Sequence, residues 1–204
     1  MAFSGLHEPM LARSGKLPTS GDYSYEVKWD GFRAIVSTEG TLRVRSRRGW
    51  NMTEHVLFLE HLPARGVFDG ELVALDEDGK PDFPVICECV LQRQNHVALT
   101  LMIFDVLSVG GDDCTRLPYS KRRTILEELN LNSERWRTPQ TFDDGEALWH
   151  AVCTHELEDV VAKKRSSRYV AGERGWIKTK NRAYWRWEME REGALKARRP
   201  HQFV

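Results

Sequence analysis

The sequence predicts an α+β fold in which antiparallel sheets are flanked by helices. Polar and apolar residues alternate with a period of two in paired runs joined by turn residues, which is typical of β-hairpins. Helical patterns are interspersed among these runs without the strict strand–helix alternation of a doubly wound parallel sheet. The chain of 204 residues has no internal repeat and no clear linker, so a single domain over residues 1–204 is expected.

The first part of the chain is expected to be mostly strand. An irregular lead-in over residues 1–22 precedes a strand in "YSYEVKWD", residues 23–30. The run "FRAIVSTEGTLRVRSR" predicts two further strands, joined by a turn at Glu39 and Gly40. The segment "TEHVLFLEHL" has helical spacing, and Thr53 is its candidate N-cap.

The remainder of the chain mixes strands and helices. A strand is expected over residues 66–75 and a short helix over residues 83–92. The nearly continuous apolar run of residues 98–107, "ALTLMIFDVL", predicts a buried central strand. Capped helices are predicted in "SKRRTILEELNL" and "DDGEALWHAVCTHEL", strands in "DVVAKK" and "WIKTKN", and a helical, basic tail over residues 186–204.

Composition excludes several classes of protein. Lys and Arg together number 30, as do Asp and Glu, so any contact with nucleic acid must come from local clusters of charge. The four cysteines form no CxxC pair and no zinc-finger spacing, which favours free thiols in a reducing compartment. No apolar run approaches the length of a membrane span, and the N-terminus lacks a signal-peptide core. A cytoplasmic monomer without a membrane partner is expected.

Charged residues interrupt strands that otherwise look buried. Glu26, Lys28 and Asp30 share one face of the first strand, which taken alone favours a solvated face with weak ion pairs. Charged residues also interrupt later strands that look buried, at Asp69, Glu71, Asp105, Glu158, Lys178 and Lys180. Because isolated buried charges are costly, these groups should converge on one another or on a polar ligand.

A set of lysines facing a set of carboxylates suits a nucleoside triphosphate with a divalent metal ion. The chain contains neither the P-loop motif nor the dinucleotide-binding glycine motif. Instead, Lys28 stands at the end of a strand and just before a glycine. An amine in that position would be a nucleophile if surrounding charge and bound metal deprotonate it.

These residues fall into a recognisable order over residues 26–181. Six segments stand out in this order: "KWDGFR", "SRRG", "DGE", "MIFDVL", "EDVVAKK" and "WIKTKN". In these segments the chain resembles the nucleotidyltransferase (adenylation) domain of ATP-dependent DNA ligases, most like the bacterial end-joining repair type. The resemblance implies a ligase and capping-enzyme nucleotidyltransferase fold, which is ATP-grasp-like, around a nucleotide cleft.

The resemblance implies a role for each residue that would meet the nucleoside. Lys28 would attack the α-phosphorus of ATP, release pyrophosphate and hold AMP through a phosphoramidate bond. Glu26 would read the adenine edge, and Phe104 would stack on the base with Val161 on its other face. Arg33 would contact the ribose side of the site.

The resemblance also implies the residues that would meet phosphate and metal. Glu71, on the ribose side, would help Glu158 to place Mg²⁺ or Mn²⁺. Lys178 and Lys180 would hold the α-phosphate, where charge develops during transfer. Arg47 would meet a phosphate, either of the nucleotide or of the nicked DNA.

Two departures from the family pattern stand out. Asp159 occupies the position at which the family motif usually has glycine, and this could alter the pocket floor or add negative charge near the metal. Full ligases continue into an OB-fold domain that helps the first step and clamps DNA, whereas the tail here is too short to form such a barrel. Two alternatives stay open for self-adenylation and DNA affinity. The chain is a minimal natural form, or another chain, such as a separate OB-type clamp or an end-joining repair protein, supplies the missing part.

Three basic clusters, at residues 43–48, 163–168 and 196–199, are candidates for a surface that tracks the phosphates of nicked double-stranded DNA.

The leading interpretation is an ATP-dependent DNA ligase core that seals 5′-phosphate nicks in DNA repair. An RNA ligase or a GTP-using capping-type nucleotidyltransferase stays open, and so does a catalytically inert module that binds DNA ends. Labelling by GTP but not by ATP would reject the ligase interpretation.

Overall fold

The computed structural model describes residues 8–91 and 97–185, and these build two β-sheets with helices packed against them. The helices are α1 (Phe83–Leu91), α2 (Tyr119–Glu128) and α3 (Gly145–Thr154). Short 3₁₀ turns cover Thr53–His55 and Leu57–His61. The strands are β1 (Ala12–Ser14), β2 (Tyr23–Lys28), β3 (Phe32–Ser37), β4 (Arg43–Ser46), β5 (Gly66–Ala74), β6 (Leu99–Val109), β7 (Asp112–Asp113), β8 (Trp136–Arg137), β9 (Asp159–Lys164) and β10 (Trp176–Lys180).

The larger sheet has the strand order β4-β3-β5-β6-β7, with β8 paired to β6. Neighbouring strands along that order are antiparallel, and β8 runs parallel to β6. The pairing of β5 with β6 shifts register twice, once between Val67 and Phe68 and once between Asp69 and Gly70. Such irregularities re-aim side chains near a site. Helix α1 packs on β5 and helix α2 on β6, over the main apolar core.

The smaller sheet has the order β1-β10-β9-β2, in which β1 pairs parallel to β10 and the other pairs are antiparallel. Helix α3 packs on β2 and β9 through a small core that includes Tyr25, Leu148 and Val160. The side chain of Asp144 caps this helix by accepting a hydrogen bond from the Ala147 amide at 2.9 Å.

A third apolar cluster joins the two sheets. It contains Ile35, Val67 and Phe104 from the larger sheet, together with Met10 and Trp176 from the side of the smaller sheet. Because these side chains are buried, burial of apolar surface holds the sheets against each other and shapes the cleft between them.

The predicted α+β class with mainly antiparallel sheets is confirmed, as is the buried central strand, which extends over β6. The turn at Glu39 and Gly40 is also present, with Gly40 at a φ of +79°. None of the helices in the described part of the chain has the length and apolar character that a bilayer crossing needs.

Four local predictions need correction or fall outside the described residues. The lead-in is not wholly irregular, because β1 pairs with β10 through backbone hydrogen bonds that its polar sequence does not reveal. Thr53 opens a 3₁₀ turn instead of capping an α-helix, and its hydroxyl accepts a hydrogen bond from the Val44 amide. Helix α2 begins after Pro118 without a side-chain cap. The predicted tail helix over residues 186–204 lies outside the described residues.

Candidate active site

Strand β2 carries Lys28 into an open cleft of about 1040 Å³ between the two sheets. The pleat places Glu26 and Lys28 on one face, and both side chains line this cleft. Strand β9 runs antiparallel to β2 with Asp159 opposite Lys28, which brings the preceding residue, Glu158, close to the amine. The Lys28 Nζ donates a hydrogen bond to Glu158 Oε2 at 2.5 Å.

The electrostatics of this pair depend on a second carboxylate, Glu71 of β5. Burial raises the pKa of Glu71 to about 7 and that of Glu158 to about 7. Burial by itself would lower the pKa of the Lys28 amine, but Glu158 and Glu71 outweigh it, and the pKa is raised. In the free protein Lys28 is therefore an ammonium ion, which is not a nucleophile.

The donor set of the cleft fits a divalent cation that also contacts a phosphate. Among the described residues, no group of three or more His, Cys, Asp and Glu side chains converges on one point. Mg²⁺ does not need such a cage, because it commonly takes one or two carboxylates and completes its shell with water and phosphate oxygens. Glu71 and Glu158 are the two cleft carboxylates whose charges act on Lys28 most strongly, and Glu26 and Asp30 line the same cleft.

Two lysines of β10 line the same cleft as Lys28. Lys178 and Lys180 both line the cleft, as does Arg174 just before the strand. Burial lowers the pKa of Lys178, and repulsion from Lys28 and Lys180 lowers it further. A convergence of like charges is unfavourable unless an anion joins it, so this end of the cleft is suited to phosphate.

Arg33 is held from two sides. Its Nε and Nη2 donate to the Asp69 carboxylate at 2.5 and 2.6 Å, and Tyr169 donates to the same carboxylate at 2.7 Å. The guanidinium also lies over the Phe104 ring, 4.6 Å from its centroid. Arg33 therefore presents a fixed edge to the cleft, and its position depends on a buried partner, Asp69, that is fully enclosed.

The apolar part of the cleft is called the slot. Phe104 and Val161 line it, and Trp176 packs edge-on against Phe104 with ring centroids 6.0 Å apart. The carboxylate of Glu26 lies at the slot and is 3% exposed. A flat ring with a hydrogen-bond donor on its edge would fit between the apolar walls and the carboxylate.

The buried ammonium group of Lys163 also lines the cleft, next to Glu26. It donates to Glu26 Oε2 at 2.9 Å and to the Phe104 carbonyl at 3.1 Å. The Tyr119 hydroxyl donates a second, short hydrogen bond to Glu26. Burial lowers the pKa of Lys163, while Glu26 and other nearby carboxylates oppose that shift. The Glu26 carboxylate is thus fixed by two donors.

A second buried ion pair fixes the helix that carries Tyr119. Arg122 of α2 donates to both oxygens of Asp105 in β6, at 2.7 and 2.9 Å, and both side chains are fully buried. Arg122 also donates to the carbonyls of Leu117 and Ser167. Because all of these partners are satisfied, α2 is tied firmly to the strand that bears Phe104.

The predicted site residues all line this one cleft. They are Glu26, Lys28, Arg33, Arg47, Glu71, Phe104, Glu158, Val161, Lys178 and Lys180. Their separation along the chain is overcome by the pairing of β2 with β9 and of β3 with β5. The chemical role of each one stays a prediction.

Asp159 does not lie among the residues that line the cleft. Its side chain is 3% exposed, and Oδ1 accepts a hydrogen bond from the Asn181 amide at 3.1 Å. Its backbone has no positive φ, so this position does not demand glycine here. Burial raises the pKa of Asp159, although Lys28 and Lys178 oppose the shift.

The predicted basic surface needs one correction. Lys163 belongs to the cluster at residues 163–168, but it is 1% exposed and paired with Glu26, so it does not face DNA. Its neighbours Lys164 and Arg168 are exposed. The cluster at residues 196–199 lies outside the described residues.

Sequence reasoning missed Lys163, Tyr119 and Tyr169. A signal existed for Lys163, because a period of two puts it on the same face of β9 as Val161. No local signal exists for the two tyrosines, since their partners Glu26 and Asp69 are distant in sequence.

The site therefore has the elements of a nucleotide cleft in which a lysine is surrounded by carboxylates and further cations. A family model described as the ATP dependent DNA ligase domain matches residues 9–180. The chain belongs to the ATP-dependent DNA ligase domain family.

Among its relatives is the multifunctional non-homologous end joining protein LigD of Mycolicibacterium smegmatis, 37% identical over 185 residues. That match covers 84% of this chain and 23% of the relative, so the chain spans about a quarter of the length of this curated relative. The comparisons favour the DNA ligase interpretation over the RNA-ligase, capping-type and inert-module alternatives.

Solved structures agree with this assignment. The ligase domain of LigD from M. tuberculosis matches with a TM-score of 0.76 and 32% identity, over 88% of this chain and 61% of that one. A mycobacterial DNA ligase D complexed with ATP and MES matches with a TM-score of 0.74 and 32% identity, over 89% and 62% of the two chains. The predicted resemblance and fold family are confirmed.

Proposed function

We propose that this chain is the catalytic core of an ATP-dependent DNA ligase, which forms a covalent lysyl-AMP and seals 5′-phosphate nicks in DNA repair. The described residues would act as one adenylation domain, with nicked double-stranded DNA as substrate. The observation that carries the proposal is the contact of Lys28 with Glu158 at 2.5 Å, in a cleft shared with Glu71 and the lysines of β10.

In the first step, the Lys28 amine attacks the α-phosphorus of ATP. A phosphorus–nitrogen bond forms, the bond to the bridging oxygen breaks, and pyrophosphate leaves with that oxygen. The amine must lose its proton first. Since Glu158 and Glu71 raise its pKa, neutralising these two carboxylates is the change that would release the proton.

Glu71 and Glu158 are the residues that would hold Mg²⁺ or Mn²⁺. When bound there, the cation would offset phosphate charge and the charge of the two carboxylates. Lys178 and Lys180 would neutralise the α-phosphate as its charge grows, and Arg33 would position the ribose side. Glu26 would accept a hydrogen bond from the amino group of adenine, between Phe104 and Val161.

In the second step, an oxygen of the 5′-phosphate at the nick attacks the phosphorus of lysyl-AMP. The phosphorus–nitrogen bond breaks, Lys28 recovers its amine, and AMP is joined to the 5′-phosphate through a pyrophosphate linkage. The 3′-hydroxyl of the neighbouring strand then attacks that phosphate, and AMP leaves as a phosphodiester forms. Arg47, at the cleft mouth, would contact a phosphate during these steps. An OB-type clamp or end-joining repair proteins would hold the duplex in place.

The test is incubation with α-labelled ATP and Mg²⁺ or Mn²⁺, followed by denaturing electrophoresis and mass spectrometry. We expect one AMP on Lys28 and none on the Lys28→Arg variant. Arginine keeps the positive charge but does not lose its proton to become a nucleophile. Label that persists in that variant would remove Lys28 as the nucleophile. Labelling by GTP but not by ATP would support the capping-type alternative.

A pre-adenylated nick separates the steps. If the chain does not label itself yet seals this substrate, the first step needs a separate clamp and the later steps do not. If it does neither, the proposal fails and an inert module that binds DNA ends is favoured.

A further inference from the structure

The loop after β4 contributes two arginines and a tryptophan to the lining of the cleft. Arg47, Arg48 and Trp50 all line the cleft, and all three are exposed. Trp50 has 41% of its surface exposed, although tryptophan is one of the side chains most worth burying. A single exposed hydrophobic residue is ordinary, so the exposure of Trp50 alone does not indicate a binding site.

Ser46 fixes the loop with three hydrogen bonds. Its amide donates to the Trp50 carbonyl at 2.8 Å, and its carbonyl accepts from the Gly49 amide at 2.9 Å. Its hydroxyl accepts from the Trp50 amide at 3.0 Å. Gly49 takes a φ of +85°, which the tight turn requires and which other residues rarely adopt.

The indole itself is also held in place. Its ring packs against that of His55 at a tilt of 56°, with centroids 5.2 Å apart. The loop is therefore pre-organised, and ordering it on binding would cost little conformational entropy. Arg47 and Arg48 follow directly after Ser46, so the backbone that carries their side chains is held by the hydrogen bonds of this turn.

An aromatic face flanked by arginines is the combination with which proteins bind nucleic acid strands. The guanidinium groups pair with phosphate oxygens, and the ring stacks on a base of any sequence. Within an intact duplex both faces of each base are already stacked. At a strand break the backbone no longer joins the two flanking nucleotides, so the terminal base can unstack and expose a face at lower cost. Such a break is the substrate that the proposed function requires beside Lys28.

We propose that Trp50 is a stacking platform for the nucleotide that carries the 5′-phosphate at a DNA break, and that Arg47 and Arg48 hold the phosphates beside it. This assignment rests on the proposed nick-sealing function and adds to it a cleft residue that has no proposed contact with ATP. The platform would distinguish broken strands from intact duplex without reading sequence.

Binding of the full chain to a nicked duplex with a 5′-phosphate tests the platform, measured by fluorescence anisotropy over a range of salt concentrations. Trp50→Ala should weaken binding about tenfold, and Trp50→Phe should keep most of the affinity. Leu57→Ala, which removes an exposed apolar side chain outside the cleft, should have no effect.

The salt dependence separates stacking from a structural role. Arg48→Gln should reduce the slope of log affinity against log salt by about 0.9, since one phosphate contact is lost. Trp50→Ala should leave that slope unchanged, because stacking releases no counterions. If Trp50→Ala reduces the slope of log affinity against log salt, the indole only positions the arginines. That result would overturn the proposal that Trp50 stacks on a base.

DNA lacking one base gives the sharpest test. With an abasic nucleotide at the 5′-phosphate, wild type and Trp50→Ala should bind equally. A loss that persists on abasic DNA, or that appears equally on intact duplex, would refute the assignment. Formation of lysyl-AMP needs no DNA. Failure both to form lysyl-AMP and to seal a pre-adenylated nick, alongside Trp50-dependent binding, would therefore overturn the proposed function alone.

Discussion

The ammonium group of Lys163 is enclosed beneath the base slot, where it faces Glu26. In Lys163→Met, the Glu26 carboxylate keeps the hydroxyl of Tyr119 but loses its counter-ion. Breaking a buried pair by removing one partner costs about 3–5 kcal/mol. We therefore expect a loss of this size in the free energy of unfolding, measured by urea denaturation at pH 7.

The adjacent residue provides a matched control. Lys164 is exposed, and Lys164→Met should change the free energy of unfolding by less than about 0.5 kcal/mol. Similar urea midpoints for the two variants would mean that the pair of Lys163 with Glu26 contributes nothing.

Glu71 gives a prediction about pH. Burial raises its pKa from 4.5 to about 7, so between these values the folded state binds a proton that the unfolded state does not. Stability contributed by this group is therefore lost as the pH rises from about 4.5 to about 7. In metal-free buffer at pH 8, Glu71→Gln should be more stable than wild type by about 1–2 kcal/mol.

At pH 4 the Glu71→Gln variant should match wild type, because the carboxyl group is neutral in both states. Glu128→Gln, an exposed substitution on α2, should follow wild type at both pH values. Urea midpoints across this range test the expectation, and an absence of any gain at pH 8 would contradict it.

At the level of the elements, the connection from β2 to β3 depends on Gly31. A Cβ added there would lie 2.2 Å from the backbone oxygen of Leu72 in β5. The clash would push the connection away from the larger sheet and displace Lys28 at the end of β2. Gly31→Ala should lower the free energy of unfolding by about 2–4 kcal/mol, as measured by urea denaturation.

Gly40, in the turn between β3 and β4, is the control for this glycine. An added Cβ there meets nothing within 4 Å, but φ is +79°. Gly40→Ala should therefore cost only about 1 kcal/mol, through backbone strain. If the two variants lose equal stability, close approach to Leu72 is not the reason for glycine at residue 31.

At the scale of the whole molecule, the cleft has walls from both sheets, so a bound nucleotide would bridge them. Lys28→Met should still bind ATP but cannot form the covalent adduct. At about 100 times its Kd, ATP with Mg²⁺ should raise the free energy of unfolding of this variant by about 2.7 kcal/mol. Thermal unfolding with and without ligand measures the effect.

Two controls accompany this measurement. GTP with Mg²⁺ should stabilise Lys28→Met much less than ATP does, if Glu26 selects the base. Adding Lys178→Met should reduce the stabilisation by ATP, because a phosphate contact is lost. An equal shift with GTP would contradict the predicted role of Glu26.

Local patterns predicted most of the strands and the charged residues inside them, whereas Arg33, Arg47, Phe104 and Val161 were expected at the site only from the resemblance to the ligase domain. Alternation placed Glu26 and Lys28 on one face, and charges inside apolar runs pointed to a shared site. Strand β1 was not predicted. It pairs with β10 through backbone groups, and a polar segment of three residues has no side-chain pattern that would indicate such pairing.

The supporting residues of the site could not be predicted in the same way. Tyr119 and Tyr169 reach Glu26 and Asp69 only because helix α2 and the segment after β9 fold back onto the sheets. Lys163 was misplaced on the surface since its sequence neighbours are basic, whereas its burial follows from tertiary pairing.

The pairing of Lys28 with Glu158 has a consequence for chemical modification. Acylating reagents react with neutral amines, and in the free protein the pKa of Lys28 is raised while that of Lys178 is lowered. Brief treatment with an acetylating reagent, mapped by mass spectrometry, should therefore modify Lys178 before Lys28. The proposed nucleophile would be spared by stray acyl donors while its cleft holds no nucleotide.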